Sequence, residues 1–231
     1  MVFVVGTIMN KLEILYEDNH ILVVVKPYNV LSQKDDTGDI DMLSMIKNYL
    51  KEKYQKPGNV YLGLVHRLDR PVGGIMVFAK TSKAASRLSK EVVNHELKKT
   101  YLAIVHGTAL KEKDTFIDYL VKRSDNNSYI TDSKEGKLSK LDYKVIEKNK
   151  KNNLSLVEIN LITGRHHQIR VQFSSRGYSL YGDQRYGSSD RKQIALFAYK
   201  LEFVHPVKRE RMLFIKYPIK NGVWNLFKSV K

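Results

Sequence analysis

A single carboxylate, Asp69, lies between Arg67 and Arg70 and is followed at once by Pro71 and two glycines. An apolar, strand-like run, Ile75–Ala79, comes next, so we expect Asp69 to lie on a turn. Flanking cations favour the ionised form of a carboxylate, and they also attract a phosphate backbone. The pattern therefore indicates chemistry on a nucleic acid, with Asp69 as a nucleophile or a base.

A second segment combines a glycine with cations and histidines. We interpret Gly164 as a tight turn from a strand into a helix that runs from Arg165 to about residue 176. The N–H groups at the start of a helix favour anions. On such a helix His166 and Arg170, four apart, share a face, and His167 is three residues from the same arginine. The segment therefore predicts an anion site with two imidazoles.

The histidines also allow two other interpretations. The first is packing and hydrogen bonding beneath the site. The second is a metal site, because the residue types suit a metal. Its candidate ligands are His66, Asp69, His166 and His167. Four arginines in the same segments would repel a divalent cation, so we expect no metal there. They are Arg67, Arg70, Arg165 and Arg170.

The composition favours a nucleic-acid partner. The 231-residue chain has 40 Lys and Arg against 24 Asp and Glu, a net charge of +16 and an isoelectric point of about 9.7. A solvated basic surface would account for charge alone, but Arg, Tyr and Phe interleave in the chemical segments, which favours RNA or DNA. The chain has no cysteine, so disulfides, thiolate catalysis and cysteine-ligated zinc are excluded.

Targeting signals are not apparent in the sequence. Met1–Val5 is apolar, but it is too short for a secretion signal and no basic residues precede it. No later apolar run approaches the roughly 20 residues that span a bilayer. We expect a soluble, cytoplasmic monomer without a membrane partner.

The elements that must position these residues are mostly strands. Alternating or β-branched apolar runs predict strands, and spacings of three and four predict helices. The predicted strands are Ile21–Val25, Ile75–Ala79, Thr100–Val105, Asp142–Glu147, Leu154–Ile162, Ile194–Phe203 and Met212–Ile215. The predicted helices are Met42–Tyr54, a helix capped by Thr81 or Ser82 that runs to about Leu97, a helix from Arg165 to about Arg176 and a short C-terminal turn around Trp224.

This pattern predicts an α+β fold with a mixed, largely antiparallel central sheet flanked by helices. We expect a single domain over residues 1–231, with a core of about 12–218 and a tail, 219–231, packed on the body. The polar stretch Lys111–Lys140 is interpreted as an exposed hairpin or loop insertion.

Four segments, in order along nearly the whole chain, resemble the motifs of the RluA-type pseudouridine synthases. They are His66–Arg70 with the following Gly74–Thr81, Lys99–Ala103 with Gly107, Gly164–Arg170, and Gly182-Asp183 with Tyr186-Gly187. The sequence departs from the family at Val72 and Gly73, where a pair of small hydroxyl residues is usual. That departure affects substrate positioning rather than the carboxylate.

The resemblance implies a single pseudouridine-synthase domain that isomerises uridine to pseudouridine in RNA without a cofactor. It implies that Asp69 is the catalytic carboxylate, attacking the base or the sugar or abstracting a sugar proton. Tyr101 would stack on the target uracil and is the candidate for moving its C5 proton. Arg170 would pair with Asp69 and keep it ionised.

The same resemblance assigns an RNA-binding set. Arg67 would take the position of the flipped nucleotide, whereas Arg70 is interpreted as a phosphate contact. The full predicted RNA-binding set is Arg67, Arg70, Arg165, His66 and His167. The chain begins close to the catalytic domain, without the S4-like RNA-binding module of many relatives, so we expect a compact target in rRNA or tRNA.

Two rival functions can be separated from this hypothesis. A catalytically idle RNA-binding or ribosome-assembly module would have lost Asp69, Tyr101 or Arg170, and all three are present. A metal-dependent nuclease or hydrolase would need several carboxylates near the histidines, and the motifs offer only Asp69.

Overall fold

The computed structural model describes residues 12–231 and divides into two compact units. The first unit comprises the chain up to Leu97 together with Leu201–Lys216, and the second comprises Lys98–Lys200 together with Tyr217–Lys231. The single domain over 1–231 stays a prediction. Our interpretation of Met1–Val5 falls outside the described residues.

The described chain contains eleven strands and three α-helices. The strands are β1 (Glu13–Glu17), β2 (Ile21–Lys26), β3 (Gly63–Leu64), β4 (Gly73–Ala79), β5 (Lys98–His106), β6 (Lys113–Lys122), β7 (Ser128–Thr131), β8 (Lys137–Asn149), β9 (Leu154–Leu161), β10 (Leu196–Val204) and β11 (Arg211–Ile215). The helices are α1 (Met42–Lys53), α2 (Ser82–Val93) and α3 (Gln168–Ser174). Short 3-10 helices occupy Lys150–Asn152, Gln184–Tyr186 and Gly222–Leu226.

The first unit is a sheet with the strand order β1-β2-β4-β10, in which β3 also pairs with β4 and β11 with β10. Strand β10 contributes residues 201–204 to this unit and 196–200 to the other. All residues of β2 and β4 are buried, which explains the apolar runs Ile21–Val25 and Ile75–Ala79 within them. Helix α2 packs Ala84 and Leu88 onto this sheet's core, and its Thr81 cap accepts the N–H of Ala84.

The second unit has the strand order β10-β5-β9-β8-β6-β7. The ladders β5–β9, β9–β8, β8–β6 and β6–β7 are antiparallel. The rings of Phe116, Tyr143 and Phe173 pack with centroids 4.9–5.4 Å apart, which fixes α3 on β6 and β8. The C-terminal residues Trp224, Phe227 and Val230 are also buried in this unit.

The predicted α+β class with a largely antiparallel sheet is confirmed, but several element boundaries were wrong. Helix α2 ends at Val93 rather than Leu97, because His95 has a positive φ of 59°. Helix α3 begins at Gln168 rather than Arg165, because His167 has a φ of 54°. For the stretch 111–140 the hairpin interpretation is the one observed, not the loop insertion, because β6 and β7 pair antiparallel and the start of β8 pairs with β6. Strands β1 and β3 were not predicted.

A partly buried carboxylate joins the two parts of the chain that build the first unit. Asp18 accepts hydrogen bonds from the N–H groups of His20 and Ile21 and from the Tyr16 hydroxyl. His205 is fully buried, and its Nδ1 accepts the N–H groups of Val207 and Lys208, so its Nε2 carries the proton that it donates to Asp18, at 2.8 Å. Burial alone would raise the pKa of Asp18, but these donors lower it to about 2.

We expect Asp18→Asn to lower the Tm at pH 7 by roughly 3–10 °C, since a hydrogen bond to a charged group contributes about 1.5–3 kcal/mol. The folded pKa lies below the unfolded value of 3.8, so the stabilisation by Asp18 is present above that value and is lost as the pH falls towards about 2. The difference in Tm between wild type and variant should therefore shrink in acid. Calorimetry over a pH series measures it, with the exposed Asp36→Asn as control; a difference that does not change with pH would contradict this assignment.

Candidate active site

Asp69 lies on a turn of the first unit that is fixed at both ends. The N–H of Val72 donates to the carbonyl oxygen of Asp69 at 2.9 Å, and β4 begins at the next residue. On the other side, the buried Ser32 hydroxyl donates to the carbonyl oxygen of Leu68 at 2.7 Å and accepts the N–H of Leu68 at 3.1 Å. The Asp69 side chain is partly exposed. The turn thus presents a carboxylate from a fixed backbone.

The last residue of β2 supports the same turn from beneath. Lys26 is fully buried, and its ammonium donates to the carbonyl oxygens of Pro27 (3.0 Å), Val30 and Arg70 (3.1 Å). Three carbonyl acceptors match the three N–H groups of a lysine ammonium. Burial lowers the pKa of Lys26 to about 7, while the charge of Asp69 acts in the opposite direction. Lys26 therefore ties the backbone of the Asp69 turn to the end of β2.

The predicted RNA-binding residues beside Asp69 differ in exposure. Arg67 is exposed. Arg70 is half exposed and forms an ion pair with Asp39, at 2.7 Å. His66 is buried, and its Nε2 accepts the N–H of Val77 on β4, at 3.2 Å. The two arginines can therefore reach a ligand directly, whereas the His66 contact ties the turn to the sheet.

In the second unit, Arg170 is held by a carboxylate that the sequence motif contained without an assigned role. Its Nε and Nη2 each donate to one oxygen of Asp183 at 2.7 Å. Only 6% of the Arg170 side chain and 1% of the Asp183 side chain are exposed. The guanidinium also lies 5.0 Å from the ring centre of Tyr186. The position and orientation of Arg170 are therefore fixed by its neighbours.

The backbone around Asp183 requires a glycine. Gly182 has a φ of 78°, and a Cβ on it would lie 2.4 Å from the carbonyl oxygen of Gln193. Its N–H donates to the hydroxyl of Ser188, whose own N–H donates to the carbonyl oxygen of Asp183. Any side chain at Gly182 would displace this loop, and with it the partner of Arg170.

The two histidines do not lie on a helix with Arg170, contrary to the prediction. His167 takes a left-handed conformation just before α3, and its ring stacks on His166 with centroids 3.7 Å apart. Its Nδ1 lies 2.8 Å from the hydroxyl of Tyr186, which also accepts the N–H of Ser128. Burial, together with Arg170, lowers the pKa of His167 to about 2. His167 is therefore neutral at pH 7 and supplies no positive charge for RNA.

The predicted anion site at the start of this helix is also not formed as proposed. Helix α3 has only seven residues. The Gln168 side-chain oxygen accepts the N–H of Arg165 (3.0 Å) and the hydroxyl of Thr163 (2.8 Å), so it closes the loop before the helix. The exposed Arg165 side chain donates through Nε to the carbonyl oxygen of Leu138.

Tyr101, the predicted stacking residue, lies on β5 of the second unit with 5% of its surface exposed. The second unit thus contains Tyr101, Arg170, Arg165 and both histidines, and the first contains Asp69 and the residues around it. Over residues 12–231, no group of three His, Asp or Glu side chains could hold a metal ion. In the same range, no helix is both long and apolar enough to cross a membrane.

The residues that hold these side chains were missed by sequence reasoning. They are Lys26, Ser32, Ser128, Gln168 and Asp183. Many of their partners are backbone atoms, which leave no pattern of residue types. Of these residues, only Lys26 could have been noticed in the sequence. It ends an apolar strand that is expected to be buried, and buried lysines are rare.

Comparisons with known proteins agree with the motifs. The family model for RNA pseudouridylate synthases matches residues 20–175, more than half of the chain, and this range contains Asp69, Tyr101 and Arg170. This chain belongs to the RNA pseudouridylate synthase family. It is therefore an isomerase that converts uridine to pseudouridine in RNA, and the predicted RluA-type resemblance is confirmed.

Individual relatives cover most of the chain. The RNA pseudouridine synthase YhcT of Bacillus subtilis is 34% identical over 95% of this chain and 72% of its own length. The ribosomal large subunit pseudouridine synthase D of Zymomonas mobilis is 34% identical over 88% of this chain and 68% of its own. The structure of human RNA pseudouridylate synthase domain containing 4 has the same fold, with a TM-score of 0.77 at 20% identity, covering 95% of this chain and 94% of that one.

We expect Lys26→Met to lower both the stability and the turnover of this synthase. The substitution leaves buried carbonyl oxygens without donors, at about 1–3 kcal/mol each, partly offset by removal of a buried charge. The unfolding free energy should fall by about 2–4 kcal/mol. The single-turnover rate should fall at a temperature where the variant is still folded, because the Asp69 turn loses its tie to β2.

Urea unfolding and single-turnover assays measure the two effects, with Lys34→Met as the control. Lys34 is an exposed lysine in the loop after β2, so this variant removes the same charge without touching the turn. If Lys26→Met behaved like Lys34→Met in both assays, Lys26 would not support the turn.

Proposed function

We propose that this synthase isomerises a uridine of rRNA or tRNA and that Asp69 is its catalytic carboxylate. The observation that carries the proposal is the Asp69 turn. Ser32 and Lys26 hold its backbone, while the carboxylate is partly exposed beside the exposed Arg67. A reactive group on a rigid support and next to cations suits a reaction on a polyanion.

The chemistry needs few protein groups. The bond between C1′ and N1 breaks, the uracil turns, and C1′ bonds to C5, while C5 loses a proton and N1 gains one. No atom is oxidised or reduced, so we expect the reaction to need no cofactor. Asp69 can assist by attacking the base or the sugar, or by abstracting a sugar proton. All three routes need a carboxylate that is ionised and held in place.

We assign Tyr101 to stacking on the target uracil and to moving the C5 proton. Arg170 is assigned to keeping Asp69 ionised. The assignment of Arg170 is supported by its fixed guanidinium, whose Nε and Nη2 both donate hydrogen bonds to Asp183. A guanidinium held on one side by a buried carboxylate does not need to be ordered when a substrate binds, which lowers the entropic cost of using it.

The charge distribution supports a polyanionic substrate. The second unit has 23 Lys and Arg against 11 Asp and Glu, whereas the first has 17 against 13. We assign Arg67 to the position vacated by the flipped nucleotide, and Arg70 and Arg165 to phosphates. His66 and His167 remain in the RNA-binding set as neutral or buried groups that shape the site.

The choice between RNA classes rests on the relatives. The Zymomonas mobilis relative is named for the large ribosomal subunit, so rRNA is the first substrate class to test and tRNA the second. A cytoplasmic location and a monomeric state stay predictions. The idle RNA-binding module is the rival function, and turnover separates it from the synthase.

We expect Asp69→Asn to abolish pseudouridine formation, by at least about a thousandfold, while RNA affinity changes little. The amide has nearly the same shape but cannot act as the charged nucleophile or base. Release of tritium from RNA containing 5-tritiated uridine reports the loss of the C5 hydrogen directly. Carbodiimide-dependent stops in reverse transcription of total RNA from a deletion strain identify the uridine.

The control is Asp36→Asn, an exposed carboxylate of the loop between β2 and α1, which should react at the wild-type rate. Near-wild-type tritium release by Asp69→Asn would remove Asp69 from the chemistry. Absence of release by the wild type on every RNA fraction, with RNA binding retained, would favour the idle module.

A further inference from the structure

Lys99 on β5 is a partly buried cation that has no counter-charge in the described part of the chain. Within residues 12–231, its ammonium has neither a hydrogen-bond acceptor nor a carboxylate partner. Burial lowers the pKa of Lys99, and no neighbouring charge contributes to that shift. A partly buried charge without a partner contributes nothing favourable to folding, so Lys99 is available to bind a ligand.

The ammonium of Lys99 points at the loop that carries Arg165. A Cβ on Gly164 would lie only 3.2 Å from Nζ, so the ammonium lies close against this glycine and would have to shift by a few tenths of an ångström if a side chain were added there. The N–H of Gly164 also has no acceptor in the described part of the chain. Among residues 12–231, two donors without protein acceptors therefore lie close together, the ammonium of Lys99 and the N–H of the exposed Gly164.

Strand geometry relates this pair of donors to the predicted uracil-stacking residue. Lys99 and Tyr101 are two residues apart on β5, and side chains at i and i+2 of a strand lie on the same face. Lys98, which is exposed, lies on the opposite face. A ligand that stacks on Tyr101 would thus extend along the face from which Lys99 projects.

We propose that Lys99, with the N–H of Gly164, binds a phosphate of the RNA backbone adjacent to the target uridine. A lysine ammonium is a compact charge with three donors, which suits a phosphate oxygen. The phosphate supplies both the missing negative charge and the missing acceptors. The inference rests on the proposed function of Tyr101, and it gives Lys99 the role of fixing the target nucleotide by its backbone.

The test compares Lys99→Met with Lys98→Met, which removes one positive charge from the preceding residue. For each variant, RNA affinity is measured over a KCl series, and tritium release gives kcat/KM. We expect Lys99→Met to reduce the salt slope by about 0.7, the value for one phosphate of a single strand, and kcat/KM by roughly ten- to a hundredfold. Lys98→Met should do much less, and Lys99→Arg should recover part of the loss.

Two further measurements separate this role from a structural one. The Tm of Lys99→Met should stay equal or rise, because the variant removes a partly buried charge that has no partner among residues 12–231; a lysine needed for folding would give a lower Tm. A neutral methylphosphonate placed in turn at each linkage around the target uridine should weaken wild-type binding at one linkage and leave Lys99→Met unaffected at that linkage.

The outcomes distinguish this inference from the proposed function. If the wild type forms pseudouridine but Lys99→Met has the salt slope of Lys98→Met, the phosphate role of Lys99 is wrong and the synthase assignment stands. If every methylphosphonate weakens both proteins equally, Lys99 contacts another group, such as a uracil oxygen, and the inference is overturned. If the wild type forms no pseudouridine on any RNA, the proposed function itself fails.

Discussion

The buried ion pair between Arg170 and Asp183 is the interaction on which the second unit's share of the site depends. Both side chains are almost completely removed from water, and the pair is bidentate. A buried guanidinium without its carboxylate would cost about 3–5 kcal/mol, so the loop that carries Asp183 cannot move without a large penalty. The left-handed Gly182 is a consequence of that constraint, since only a glycine fits there.

In the first unit, the turn that carries the candidate site residue Asp69 is held in place by hydrogen bonds to its backbone. The Asp69 turn is closed by the backbone hydrogen bond from Val72, and its position is set by Lys26 and Ser32, which lie more than thirty residues earlier in the sequence. The buried ammonium and hydroxyl donate these hydrogen bonds to carbonyl oxygens of the backbone. The backbone is thus rigid, while the Asp69 side chain remains partly exposed for chemistry.

The sequence was sufficient where one physical factor dominated. Strands β2 and β4 were predicted because both are buried on both faces, so the runs Ile21–Val25 and Ile75–Ala79 are uniformly apolar. The start of α3 was wrong because a single residue, His167, turns into the left-handed region, which the spacing of its neighbours does not reveal. Strand β6 was missed because only Phe116 and Leu120 are buried along it, and pairing with β8 decides its conformation.

For the site too, residue types and spacing revealed some features, whereas others depend on the conformation of the loops. Asp69, Tyr101 and Arg170 were identified from the types and spacing of residues in motifs, and their roles remain proposals. The helix face predicted for His166 and Arg170 was lost with the wrong helix boundary. Asp183 as the partner of Arg170 could not be predicted, because the two residues meet only through the conformation of the loop between them.

The dependence on the Arg170–Asp183 pair is tested most directly by a double-mutant cycle of Arg170→Met and Asp183→Asn. The unfolding free energy is measured by urea denaturation for the wild type, both single variants and the double variant. Each single variant should lose about 3–5 kcal/mol, and the double variant should lose little more than either, because the second substitution removes a side chain whose ion pair with the first is already broken. Losses that simply add, with a coupling energy below about 0.5 kcal/mol, would contradict the central place of this pair.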